Sequence, residues 1–286
     1  MSSVYRSAAG RLAIRRWCES ALDEWPVPHS RSIVATSAGG VHMLSAGVGG
    51  PPVLLVPGTN YNAATTLSWA RALARHRQVH VIDLPGQPGL SDENRPRRNR
   101  TTWYGNVLTE ILDATELNDA IVIGNSLGAA VAMACDSPRI AGHVLVSPGG
   151  IVRLAVTPAL LIATLPWLLR PSPDRTRKLL RLFLPPHAAP PEREVDWMTL
   201  VARHCRTTLA PAPLPASLLR QQAATPCAVS VGQHDIFLAP TRLGPAVQRH
   251  LGIELRIRTG MGHLTTDDRV HEVAELADEV ARAVTR

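Results

Sequence analysis

The chain has 286 residues, 45% of them hydrophobic and 19% charged, and its net charge of +7 is carried almost wholly by arginine, with Lys178 the single lysine. That length and apolar content are enough to bury one large core, with or without a smaller insertion. A basic balance attracts anionic partners. However, the densest runs (Arg95, Arg97, Arg98 and Arg100; Arg170, Arg175, Arg177, Lys178 and Arg181) have no interleaved aromatics and no zinc-finger or phosphate-loop spacing, so they read as solvated surface and exclude a nucleic-acid partner.

From the N-terminus, residues 1–30 read as a helical segment and a connection. Arg31–Thr36 and Val41–Ala46 flank Gly39 and Gly40, the pattern of an antiparallel hairpin. Then the texture changes. Val53–Val56 is a short apolar strand ending in Pro57-Gly58, Thr65–Arg75 has helical spacing, and Gln78–Asp83 is a second apolar strand stopped by Pro85-Gly86. A helix over Thr102–Thr115, a strand over Ala120–Ile123, a helix over Leu127–Cys135 and a strand over His143–Val146 follow. The rhythm returns near the C-terminus with a strand at Cys227–Val231, a helix at Pro240–Arg249, a strand at Ile253–Ile257 and a helix from Asp267 to Val284. Continuously apolar strands alternating with helices imply a mostly parallel sheet buried on both faces.

Between 151 and 222 this pattern stops. Prolines cut the apolar pieces Leu160–Leu169, Leu179–Leu184, Trp197–Val201 and Leu218–Leu219 into short helices. The segment reads as a helical cap inserted into a core formed by 31–150 and 223–286. Its most apolar stretch, Leu154–Leu169, contains Pro158 and Pro166 and is short for a membrane span. The N-terminus lacks the continuous apolar stretch of a signal peptide. The four cysteines, Cys18, Cys135, Cys205 and Cys227, form no C-x-x-C pair, so neither a disulfide framework nor a metal site is expected. A cytoplasmic, bacterial protein without a membrane span fits these features, the Ala, Pro and Arg usage resembling that of a GC-rich genome.

The sharpest chemical signal is Gly124-Asn125-Ser126-Leu127-Gly128, a G-x-S-x-G run where a strand hands over to a helix. Such a serine must project from a tight turn, and only small residues on either side let strand and helix pass beneath it. A serine hydroxyl needs a base to become nucleophilic, and the base is a histidine oriented by a carboxylate. Two later loops supply these in order: Val231-Gly232-Gln233-His234-Asp235 and Gly260-Met261-Gly262-His263. Both follow strands whose carboxyl ends share an edge with Ser126. His234, Asp267 and Asp268 read as structural or helix-starting residues, and Asp83 as a brace for loops. No H-E-x-x-H, complete G-x-G-x-x-G or Walker loop occurs, so no metal, nicotinamide or nucleotide cofactor is expected.

The order VLLVPG, VHVIDLPG, GNSLG, VGQHD and GMGH resembles the α/β-hydrolase superfamily, most of all its bacterial carboxylesterase-like members with a helical cap. The resemblance spans about residues 31–150 and 224–284. It implies Ser126 as nucleophile, Asp235 as acid, His263 as base, and an oxyanion hole made by the backbone N–H groups of Thr59 and Leu127. Pro57 stands where relatives often carry histidine, and the loop Gly86–Ser91 is one residue longer than the usual G-x-G-x-S. Asn60, Asn125, Trp167 and Trp197 are expected to touch substrate. The expected reaction is hydrolysis of a carboxylic ester with an apolar acyl or alcohol part through an acyl-enzyme. Thioesterase, lactonase, carbon–carbon hydrolase and acyltransferase chemistry on the same residues remain alternatives, as does a non-catalytic ligand-binding role.

Overall fold

The computed structural model describes residues 1–206 and 210–285. Eight strands form one sheet: β1 His29–Thr36, β2 Gly39–Ala46, β3 Val53–Val56, β4 Val79–Ile82, β5 Ala120–Asn125, β6 Ile140–Val146, β7 Cys227–Gly232 and β8 Leu255–Arg258. Their order across the sheet is β8-β7-β6-β5-β3-β4-β2-β1. The first two strands pair antiparallel, as do β2 and β4, and every other pairing is parallel. The expected hairpin and the expected parallel core are both present. A two-residue ribbon, Ser2–Ser3 with Asn94–Arg95, lies outside the sheet.

The short apolar strands explain why helices cover both faces. In β3, Val53 and Leu55 point into one core cluster while Leu54 and Val56 point into the other; in β5, Ile121 and Ile123 oppose Ala120 and Val122. A strand with no polar face must be covered twice. Among the described residues α1 Ala8–Asp23, α2 Leu67–Leu73 and α10 His271–Val284 contribute buried side chains to the first cluster. Helices α3 Arg100–Ala114, α4 Leu127–Ala134 and α9 Pro240–Leu251 contribute to the second.

Three differences from the pattern reading have local causes. The helix expected at 65–75 is a 3₁₀ turn, Ala63–Thr65, followed by α2. The Asn62 side chain caps the start of that turn, its Oδ1 accepting the Thr65 N–H at 3.1 Å. The last helix is likewise preceded by a 3₁₀ turn, Asp267–Arg269. In the proline-rich segment, α5 Pro158–Leu169, α6 Pro173–Arg181 and α7 Glu192–His204 form a layer whose side chains roof the sheet edge. The fourth helix, α8 Ala216–Gln222, packs instead on α4 and α9 beside the sheet. Proline opens α5 and α6, where its missing N–H costs nothing, and Thr157 and Ser172 cap the two helices.

Candidate active site

Ser126 sits between β5 and α4 with φ +50° and ψ −108°, a conformation that residues with a side chain rarely adopt. Its neighbours impose it. A Cβ on Gly128 would lie 1.9 Å from the Val56 carbonyl oxygen, and one on Gly124 2.5 Å from the Ala129 backbone. Only glycine lets β3, β5 and α4 come this close. Two backbone bonds fasten the turn: Ser126 N–H donates to Val146 (3.0 Å) and Gly149 N–H donates to Ser126 (2.9 Å).

His263 lies in the loop after β8, where Leu264 N–H donates to the Phe183 carbonyl at 2.9 Å. Its Nε2 is 3.2 Å from Ser126 Oγ and its Nδ1 is 2.8 Å from Asp235 Oδ2. Facing a carboxylate, Nδ1 takes the donor role, which leaves Nε2 of a neutral ring as acceptor for the serine proton. Asp235 follows β7, and its Oδ1 accepts the N–H groups of Phe237 (2.9 Å) and Leu238 (3.0 Å). Burial pushes this carboxyl's pKa up. The His263 charge and hydrogen bond, with further bonds from Phe237 N–H and the Ser147 side chain, outweigh burial and hold it below the usual carboxylate range. All three side chains are buried.

Leu127 is the first residue of α4, so its N–H has no carbonyl within the helix to reach. On the other side, a Cβ added to Gly58 would meet Asn125 Oδ1 at 2.8 Å and Ser126 Cβ at 3.4 Å, which places the Gly58–Thr59 backbone against the serine. Leu127 thus follows Ser126 directly in the chain, and Gly58 and Thr59 line the same cavity as the serine. The next residue, Asn60, has φ +67°, and its N–H donates to Gln87 Oε1 at 3.1 Å while Gln87 Nε2 donates to Tyr104 at 3.1 Å. The longer loop at 86–91 thus pins the strand-β3 loop. Asp83 braces loops as expected, accepting Ala63 N–H and Leu90 N–H at 2.8 Å each.

A cavity of about 240 Å³ opens at Ser126 and His263. Its floor includes Thr59, Asn60 and Asn125, and its roof Leu160, Trp167, Leu179 and Met198. Of the residues expected to touch substrate, Asn60, Asn125 and Trp167 line this cavity. Trp197 instead lines a separate pocket. Its indole N–H donates to the Asn60 carbonyl at 2.8 Å and its ring lies 4.7 Å from that of Trp17. It braces the loop that carries Thr59, because a large ring on the core-facing side of α7 finds packing before it finds the cavity. Trp167 is buried, and its Nε1 has no hydrogen-bond partner among the described residues.

Several contributors escaped the sequence reading. Both phenylalanines of the chain gather at the histidine: Phe237 meets the His263 ring edge-on at 4.7 Å, and Phe183 packs on Phe237 at 5.1 Å. Phe237 stands two residues after Asp235, a usable signal. Phe183, Gln87 and Ser147 carry none, since each acts through a tertiary contact. Among the described residues no cluster of histidine, cysteine or acidic side chains is arranged to hold a metal ion, and no helix is long and apolar enough to cross a membrane.

Comparison with known proteins agrees with this architecture. The sequence model of the alpha/beta hydrolase family matches residues 53–276. Among solved structures, a Bacillus subtilis carboxylesterase superimposes with TM-score 0.73 at 16% identity, covering 97% of this chain and 98% of the other. A naproxen esterase from the same species gives TM-score 0.76 at 16% identity, covering 98% and 99%. An uncharacterized protein of Mycobacterium tuberculosis is 29% identical over 108 residues, 36% of this chain and 31% of the relative. A 2-hydroxy-6-oxononadienedioate/2-hydroxy-6-oxononatrienedioate hydrolase of Cupriavidus pinatubonensis is 28% identical over 116 residues, 38% of this chain and 40% of the relative. The aligned stretch thus spans 31% to 40% of the length of these curated relatives.

Proposed function

The chain belongs to the α/β hydrolase family, and from that premise we propose that it is a serine hydrolase cleaving a carboxylic ester through an acyl-enzyme on Ser126. The observation that carries this reading is the unbroken succession Ser126 Oγ, His263 Nε2, His263 Nδ1, Asp235 Oδ2, at 3.2 Å and 2.8 Å. Ser126 Oγ bonds to the ester carbonyl carbon as its proton passes to His263 Nε2. The tetrahedral oxyanion is met by the N–H groups of Leu127 and Thr59, a contribution of about 3 kcal/mol for each donor. Collapse expels the alcohol, which takes the proton from His263. Water then gives a proton to His263 as its oxygen attacks the acyl carbon, and the acid leaves with serine restored.

Substrate selection falls to the α5–α7 layer, which we assign as the cap. Leu160, Leu179, Met198 and Val201 suit an apolar acyl or alcohol part. The unpaired Trp167 N–H is a donor awaiting a polar atom of the substrate, because a buried donor left unpaired is costly. A second reading, carbon–carbon bond hydrolysis of a carboxylate-bearing substrate on the same residues, is favoured by Arg206 on the cavity wall and by the partial likeness to the dioate hydrolase. A fluorophosphonate probe tests the first step. It should modify the purified protein at Ser126 and leave Ser126→Ala unmodified; modification elsewhere, or none, refutes the assignment. Turnover of p-nitrophenyl esters against a vinylogous keto-acid panel separates the two readings.

A further inference from the structure

The outer face of the roof has a property that its inner face does not explain. From Leu154 to Leu169 no residue carries a charge. Helix α5 turns Leu160, Thr164, Trp167 and Leu168 toward the cavity, yet its opposite face is equally apolar. Leu161, Ile162, Leu165 and Leu169 are 57%, 74%, 60% and 71% exposed, and Val156 just before the helix is 66% exposed. Spacing of three and four residues puts these side chains on one outward stripe. A helix that is apolar all round is ordinarily buried, and a contiguous exposed apolar patch marks an interaction surface.

Cations flank the stripe in the sequence and are exposed on the neighbouring helix. Arg153 and Arg170 bracket the uncharged run. Helix α6, which packs alongside α5, buries Thr176, Leu179 and Leu180 and exposes Lys178 and Arg181 on the opposite face. Asp174 is the acidic group on that helix, and Arg177 already engages it at 2.9 Å. None of the side chains of Arg153, Arg170, Lys178 and Arg181 has a carboxylate partner among the described residues. An apolar stripe flanked by unpaired cations is the arrangement that enters the headgroup boundary of an anionic bilayer.

We propose that the α5–α6 face docks reversibly on an anionic lipid surface, so that the far side of α5, and the cavity it roofs, lie beside the membrane. A second copy of the chain fits the face poorly. Two such faces would bring Arg153, Arg170, Lys178 and Arg181 of both copies together, on molecules that each carry +7. This goes beyond the hydrolytic assignment and stands without it.

The test is co-sedimentation of the full chain with vesicles of phosphatidylcholine, alone or with phosphatidylglycerol. The protein should partition onto the phosphatidylglycerol vesicles and be released by salt, with pure phosphatidylcholine binding far less. Leu165→Glu and Ile162→Glu each place a charge in the stripe and should weaken binding more than about tenfold. Lys178→Ala should weaken it about fivefold. Both leucine-face positions lie outside the cavity lining, so an unchanged thermal midpoint and unchanged fluorophosphonate labelling show that the variants remain folded. Equal binding to both vesicle types, or variants that bind like the parent, overturns the proposal. So does a concentration-dependent dimer that Leu165→Glu dissolves in a protein that ignores vesicles, which would assign the face to a second copy.

Discussion

The carboxyl edge of the sheet and the roof above it are built on opposing rules. At the edge, the buried polar side chains around the serine are held from several sides: Asp235 by two backbone N–H groups and an imidazole, Asp83 by two loops, Gln87 by Asn60 and Tyr104. In the roof, apolar side chains face water and a buried indole N–H has no partner among the described residues. A preorganised edge suits chemistry that needs fixed angles. A roof with unspent apolar surface and an unpaired donor suits partners that arrive from outside. On the proposed reading, reaction type and partner choice are housed in different parts of one chain.

The comparison can be broken most forcibly at the edge. Asp235→Asn keeps the shape but removes the charge that orients His263, and turnover of a short p-nitrophenyl ester should fall by ~10³-fold or more. Near-parent activity would show that the carboxylate is not the orienting group. Next in size is Gly128→Ala. Its new Cβ must displace the Val56 carbonyl from 1.9 Å, and urea unfolding should register a loss of about 3 kcal/mol; a neutral result would mean that the edge is looser than its geometry.

Acid should act on the core before it acts on the roof. His143, buried in β6 with Nε2 on Gln222, has its pKa pushed down to about 4 from 6.5, burial outweighing the Gln222 hydrogen bond. The unfolded chain therefore binds this proton first. The stabilisation is whole above pH 6.5 and is lost as pH falls through 6.5 toward about 4, to the extent of about 3 kcal/mol. Unfolding curves for the parent and His143→Gln should converge over that window; parallel curves would place the acid sensitivity elsewhere.

The roof variants should be milder. Trp167→Phe removes the unpaired donor and should raise KM for the preferred ester about threefold to tenfold with kcat nearly unchanged. A fall in kcat alone would place the indole in the chemical step. Smallest of all, Leu169→Gln on the exposed stripe should shift the unfolding free energy by less than about 0.5 kcal/mol, because the side chain is 71% exposed.

The same division governs what the amino-acid order reveals. The edge is legible because its constraints are local: Gly124 and Gly128 must flank Ser126, and apolar strands must precede Asp235 and His263. The sheet and its direction follow from those strands. The roof resists reading because prolines set where its helices begin but not where they pack. Hence Trp167 reaches the cavity while Trp197 packs on Trp17 and braces Asn60, and α8, though proline-bounded like its neighbours, joins α4 and α9. Gln87 and Phe183 were invisible for the same reason: each matters through a residue distant in the chain.

The most direct test of the account measures whether Ser126 and His263 work as one device. The kcat/KM for a p-nitrophenyl ester would be determined for Ser126→Ala, His263→Ala and the double variant. A single proton-transferring unit predicts that each replacement alone removes about as much as both together. Losses that multiply in the double variant would mean two independent contributions, and would contradict a serine activated by this histidine.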